Sequence, residues 1–167
     1  MIPIRVMDGV LSAYILAAVP LFIFMGNMMS SSGVAEKAFR ILHRWMSGTN
    51  GGLAVATVIL AMMFAATTGV VGASETAIGL LAVPSMLKAR YSKSLASGCV
   101  CAGGTLGILI PPSIMLILYA PMAGVSVLQM FAGAIVPGLL LGLAYIIYIL
   151  IRCAINPSMG PSLPPEE

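Results

Sequence analysis

The stretch Gly103-Gly-Thr-Leu-Gly-Ile-Leu-Ile-Pro-Pro-Ser113 sets three glycines and two prolines in the middle of an otherwise apolar segment of membrane-spanning length. Pro111 and Pro112 lack backbone N–H groups and clash with the preceding turn, so a helix does not run through them unbroken. Gly103, Gly104 and Gly107 open conformations closed to other residues, which extends the expected disturbance back to Gly103. In hydrocarbon each orphaned backbone group costs several kcal/mol, and broken backbone at that depth is tolerated only where it is packed in protein or lines a polar cavity. The stretch therefore reads as one wall of a small ion and substrate site.

Composition sets the surroundings of that break. The chain is 60% hydrophobic and 8% charged, which no soluble globule would present at its surface. A helical span needs about 20 apolar residues, so an all-α integral membrane protein with about three full crossings and one shorter excursion is expected. The net charge of +3 is spread over loops rather than clustered with aromatics, which argues for topology-setting charges and against a nucleic-acid partner. Cys99, Cys101 and Cys153 lie in apolar runs far from the one histidine, His43, and read as packed hydrophobes rather than metal ligands.

In chain order, residues 1–33 form a lead and a first crossing over 11–29, taken as an inserted helix rather than a cleavable leader. Within 34–52, Val34, Ala38, Ile41, Leu42 and Trp45 recur at helical spacing opposite Lys37, Arg40 and Arg44, the pattern of an interfacial amphipathic helix. Residues 53–92 read as a re-entrant hairpin. Thr67-Thr-Gly-Val-Val-Gly-Ala-Ser-Glu-Thr76 interrupts the apolar run and leaves arms of about 14 apolar residues, less than a span. If both arms enter from one face, Lys37, Arg40, Arg44, Lys88, Arg90 and Lys93 fall on one side, which positive charge marks as cytoplasmic. A discontinuous transmembrane helix follows over 93–122 and a further crossing over 123–153. Residues 154–167 read as a proline-rich linker.

Two interruptions in neighbouring apolar segments point to a secondary-transporter site, where helix N-termini suit anions and loose carbonyls suit Na⁺. The candidates at the hairpin tip are Thr68, Gly69, Gly72, Ser74, Glu75 and Thr76. Those on the broken helix are Gly103, Gly104, Thr105, Gly107, Pro111, Pro112 and Ser113. Their hydroxyls and freed carbonyls would form an oxygen shell for a hard cation, and no other metal or cofactor is implied. Glu75, with the tip and Ser113 as its expected partners, either handles a cation or proton or holds the tip together. Ser85-Met-Leu-Lys88 matches a serine-x-x-lysine acyl-enzyme pattern, but its lysine has a topological reason to be there, and no enzyme is expected. The competing reading is a structural or channel-like subunit whose small residues only pack helices.

Pro20-Leu-Phe-Ile-Phe-Met-Gly26, Phe64-Ala-Ala-Thr-Thr-Gly69 and above all residues 103–116 resemble the large, DctM-like permease subunit of tripartite ATP-independent periplasmic (TRAP) transporters. Thr68-Gly-Val-Val-Gly-Ala73 and Ile151-Arg-Cys-Ala-Ile-Asn-Pro157 resemble the branch labelled mannitol/chloroaromatic or dicarboxylate type. The resemblance implies one repeat of an inverted-repeat elevator fold in the bacterial inner membrane. It also implies a first hairpin and a broken helix that share Na⁺, and import of a small organic acid delivered by a periplasmic solute-binding protein beside a small membrane subunit. On that reading the chain is an N-terminal fragment lacking its second repeat. Val70 and Val71 stand where many members carry serines, with Ser74 and Thr76 as replacements.

Overall fold

The computed structural model describes residues 14–46, 48–69 and 71–162, all helix, turn and connecting loop, with no strand among them. The elements are α1 (Tyr14–Ser31), α2 (Val34–Met46), α3 (Gly52–Thr68), α4 (Val71–Lys88), α5 (Lys93–Leu109), α6 (Ile114–Met122) and α7 (Val127–Ile155), followed by a 3-10 turn, Pro157–Met159. The expected start of the first crossing at 11–13 and the linker end at 163–167 lie outside the described residues. Lys93–Met122 and Val127–Ile155 are long and apolar enough to cross a membrane.

The central element is α3. It touches α1, α2, α4, α5 and α7, and Ala54, Ala56, Val58, Leu60, Ala61 and Ala65 on it are fully buried. Alanine and glycine make that density possible, because small side chains let helix backbones approach closely where no water drives association. A Cβ on Gly103 would overlap the Cβ of Ala61, and one on Gly107 would lie 3.1 Å from the Cβ of Ala65. One helix further on, a Cβ on Gly142 of α7 would lie 2.6 Å from the Cε of Met62.

This packing corrects the reading of the glycines. Gly103, Gly104 and Gly107 stay inside the continuous helix α5, and none has positive φ. Their role is the missing side chain, which admits α3 and the Glu75 side chain, rather than unusual backbone. The helix breaks only at Ile110–Ser113, where Pro111 and Pro112, joined by a cis peptide bond, interrupt it before α6.

The α3–α4 pair is an antiparallel hairpin. Its two ends are pinned by Thr68 Oγ1 with Ser74 Oγ at 2.5 Å and by the Leu53 N–H donating to the Tyr91 phenol at 3.3 Å. The turn is far shorter than the expected run from Thr67 to Thr76. Helix resumes at Val71, so Gly72, Ser74, Glu75 and Thr76 lie on α4. The arms of 17 and 18 residues are each about 26 Å long, close to but short of the ~30 Å hydrocarbon thickness.

At the opposite end the proposed linker is partly folded. The Gly51 N–H donates to Gly160 O at 2.9 Å and the Ser92 N–H to Met159 O at 3.0 Å, so the chain after α7 ties both arms of the hairpin. Gly51 and Gly160 close over the buried Cys153. Burial pushes the Tyr91 phenol above its ordinary pKa, in keeping with a neutral hydroxyl here. Of the other cysteines Cys99 is buried, whereas Cys101 is exposed rather than packed.

Substitution separates close packing from conformational freedom. Gly103→Leu should destabilise the purified chain by about 1–3 kcal/mol through overpacking against Ala61. Gly133→Ala, where an added Cβ meets nothing within 4 Å, should be neutral or stabilising by up to about 1 kcal/mol. Thermal unfolding in detergent reads both, and equal effects would refute the packing role of Gly103.

Candidate functional site

The two interruptions meet. Gly69 ends α3 in the left-handed region, φ 61°, with its N–H donated to Ala65 O. A Cβ built there would lie 3.1 Å from Pro112 O and 3.3 Å from Ile114 N, so the turn of the hairpin rests directly on the α5–α6 break. Only glycine serves both demands, since φ is positive and the opposing backbone leaves no room. Gly26 of α1 completes the junction, its Cβ position 3.3 Å from the Cβ of Thr68.

The register follows from α3–α5 packing. Ala65 faces Gly107, and each stands four residues before its interruption, at Gly69 and Pro111 respectively. The C-terminal ends of α3 and α5 and the N-terminal ends of α4 and α6 are thereby gathered at one level. Helix C-termini carry partial negative charge and N-termini partial positive charge, so the junction offers groups for a cation and for an anion side by side. Because Pro111 and Pro112 have no N–H, the carbonyls of Gly107 and Ile108 lack their intrahelical donors.

Ser113 stands out within this junction. It is the N-cap residue of α6, yet its side chain makes no capping bond. Ser92 and Ser126, the N-caps of α5 and α7, accept from Leu95 N and Gln129 N as such residues ordinarily do. The Ser113 hydroxyl is fully buried and, among the described residues, is the buried side-chain polar atom without a hydrogen-bond partner. Such an orphan costs about 1–3 kcal/mol unless something absent from the protein chain satisfies it.

The remaining candidates divide clearly. Thr68 and Ser74 are buried and bonded to each other, and Thr68 also donates to Phe64 O at 3.0 Å. Gly69, Pro111, Pro112 and Ser113 belong to the junction itself. Thr76 and Thr105 are exposed, and their hydroxyls donate to Gly72 O at 2.7 Å and Ala102 O at 2.8 Å within their own helices. Gly72 is exposed with open space around it.

The carbonyls of Gly103 and Gly104 are used inside α5, which corrects the expectation that they are free. The Glu75 side chain is half-buried over Gly104, where a Cβ would lie 2.7 Å from its Oε1, and it does not bond Ser113. Ser85 donates to Leu81 O at 3.0 Å and has no lysine partner. Two contributors were missed in the sequence, Gly26 and Ala65. The signal for Ala65 is its spacing before Gly69, which equals that of Gly107 before Pro111.

Residues 1–162 match the family model described as the tripartite ATP-independent periplasmic transporter, DctM component. The chain is 46% identical over 143 residues to the C4-dicarboxylate TRAP transporter large permease protein DctM of Vibrio cholerae, covering 86% of this chain and 32% of that protein. It is 40% identical over 148 residues to the protein of the same name in Pseudomonas aeruginosa, covering 87% and 35%. It is also 36% identical over 138 residues to the isethionate TRAP transporter permease protein DctMQ of Oleidesulfovibrio alaskensis, covering 83% and 22%. The chain thus spans about a third or less of the length of these relatives, which are transporter permeases rather than enzymes. With its matching segment running through the hairpin, the broken helix and α7, the chain belongs to the DctM component family of tripartite ATP-independent periplasmic transporters.

Proposed function

We propose that the chain forms part of the permease of a Na⁺-coupled secondary transporter in the bacterial inner membrane. It would import a small organic acid handed over by a periplasmic solute-binding protein, together with a small membrane subunit and the remainder of the large one. The observation that carries this reading is the buried, unpartnered Ser113 hydroxyl at the meeting of the two interruptions.

The donor set fits Na⁺. Ser113 Oγ and the carbonyls of Gly107 and Ile108 would supply oxygen ligands, the kind a hard cation takes. Thr68 and Ser74 would support the tip against them rather than serve as first choices for ligation. The adjoining N-terminal ends of α4 and α6 suit an anionic solute, and the relatives include permeases named for C4-dicarboxylate and isethionate, both organic anions. A purely structural subunit would give no reason for a buried hydroxyl without a partner beside the freed carbonyls of Gly107 and Ile108.

Membrane placement follows from charge. Arg44 near the end of α2, Lys88 at the end of α4, Arg90 in the following loop, Lys93 at the start of α5 and Arg152 near the end of α7 lie at the base end of the hairpin, with Lys37 and Arg40 earlier on α2. On this reading that end is cytoplasmic and the α3–α4 hairpin is re-entrant, in one repeat of an elevator-type inverted-repeat fold.

In the complete transporter, Ser113→Ala should raise the Na⁺ concentration for half-maximal uptake by about 5- to 100-fold, the equivalent of one lost oxygen contact. Thr76→Ala and Thr105→Ala should leave it unchanged. Wild-type Na⁺ dependence in the Ser113 variant at normal expression would remove the site. For topology, an impermeant thiol reagent should reach Asn50→Cys and Lys93→Cys from the cytoplasmic face and Val125→Cys from the other. Labelling of Asn50→Cys and Lys93→Cys from opposite faces would exclude re-entrancy.

A further inference from the structure

Glu75 is a charge that neither the helix packing nor the ion site accounts for. The described lysines and arginines are on α2, between Lys88 and Lys93, and at Arg152, whereas Glu75 sits in the first turns of α4 beside the junction. Among the described residues the ion pair is Arg40 with Glu36, on another helix, and no basic side chain reaches the Glu75 carboxylate. Its stem is held in place. A Cβ on Gly104 would overlap its Cγ and lie 2.7 Å from its Oε1, so the side chain fills the crevice that glycine leaves between α4 and α5. Register brings this carboxylate close to the site. Gly104 stands about 4.5 Å along α5 before Gly107, and Glu75 stands about 6 Å along α4 from its first residue, Val71.

A half-buried carboxylate beside helix ends that suit an anion calls for a positive charge. A bare cation is poorly served there, because a hard cation gathers a shell of oxygens and the carbonyls of α4 and α5 around Glu75 are taken up inside their own helices. An ammonium-type group needs only the carboxylate. We propose that Glu75 selects solutes that carry a positive charge as well as the acid group, so that the solute class is a small zwitterionic acid. The inference rests on the reading of the chain as part of an organic-acid permease. The acid group meets the gathered N-terminal ends of α4 and α6, and the cationic group meets Glu75 about 6 Å along α4, within reach of an ω-amino acid of about three to six carbons. A dicarboxylate of the same length would set its second carboxylate against Glu75, and like charges at that spacing repel.

The test is uptake by the complete transporter in liposomes, with ω-amino acids and dicarboxylates of matched length: 4-aminobutyrate against succinate, and 5-aminopentanoate against glutarate. The amino acid of each pair should be favoured about tenfold or more in uptake efficiency. Glu75→Gln keeps the shape of the side chain over Gly104 and should raise the KM for the amino acid by about 10- to 100-fold, the equivalent of one charge-assisted hydrogen bond, so that the preference is lost. Glu75→Asp should recover part of it. Were Glu75 a ligand for the coupling ion, a proton carrier or a packing element, Glu75→Gln would slow both members of a pair alike and leave the preference in place. That outcome, a wild-type preference for the dicarboxylates, or uptake of neither class would overturn the proposal. Na⁺-driven uptake of the dicarboxylates would do so while leaving the ion-site reading intact, whereas amino-acid uptake indifferent to Na⁺ would uphold the zwitterion and remove the coupling ion.

Discussion

The contact of α3 with α5 is the constraint on which the rest depends. Two helices that carry interruptions bring them to one level only if their register is held, and glycine against alanine holds it. Gly103 admits Ala61 and Gly107 admits Ala65, so Gly69 arrives at Pro112 and Ile114. A shift of one turn, about 5.4 Å, would leave each set of freed groups facing an intact helix and unsatisfied. Close packing and the candidate ion site are thus one arrangement seen at two points along the same pair of helices.

The break itself was legible because proline acts through its own backbone. Pro111 and Pro112 cannot donate whatever surrounds them, and the helix stops there as expected. Single prolines such as Pro84 and Pro137 stay inside continuous helices, so the adjacent pair marks the break, and glycine is ambiguous in a further way. Gly69 is present for positive φ, whereas Gly103, Gly104 and Gly107 are present for absent side chains, and only the neighbouring helix distinguishes the two uses. The hydroxyls pose a similar problem. Thr76, Thr105 and Ser113 look alike in sequence, but the first two donate to carbonyls of their own helices while Ser113, just after the prolines, is left unpaired. The hairpin turn was overestimated because polar residues at a helix N-terminus read as loop.

The clasp at the hairpin base was not legible at all. It consists of backbone bonds from Gly51 and Ser92 to Gly160 and Met159, more than 60 residues away, and no side-chain pattern announces it. It gives the molecule two unlike ends. One is tied by backbone and carries Arg44, Lys88, Arg90, Lys93 and Arg152, and the other is a junction of four helix termini with one orphaned hydroxyl and Glu75 nearby on α4. Between them the exposed leucines and isoleucines of α7 leave an apolar flank, as a membrane segment or a larger permease would require.

Register is the central claim, and a disulfide measures it. In a chain with Cys99, Cys101 and Cys153 replaced by alanine, Ala65→Cys and Gly107→Cys place two Cβ atoms near the 3.1 Å contact seen here, close enough to bridge once the neighbours give slightly. Mild oxidation followed by mass spectrometry of the peptides should recover the 65–107 bridge in high yield. Recovery instead of a bridge one turn out of step, from Ala65→Cys to Gly103→Cys or from Ala61→Cys to Gly107→Cys, with none at 65–107, would show that the hairpin turn and the helix break do not meet.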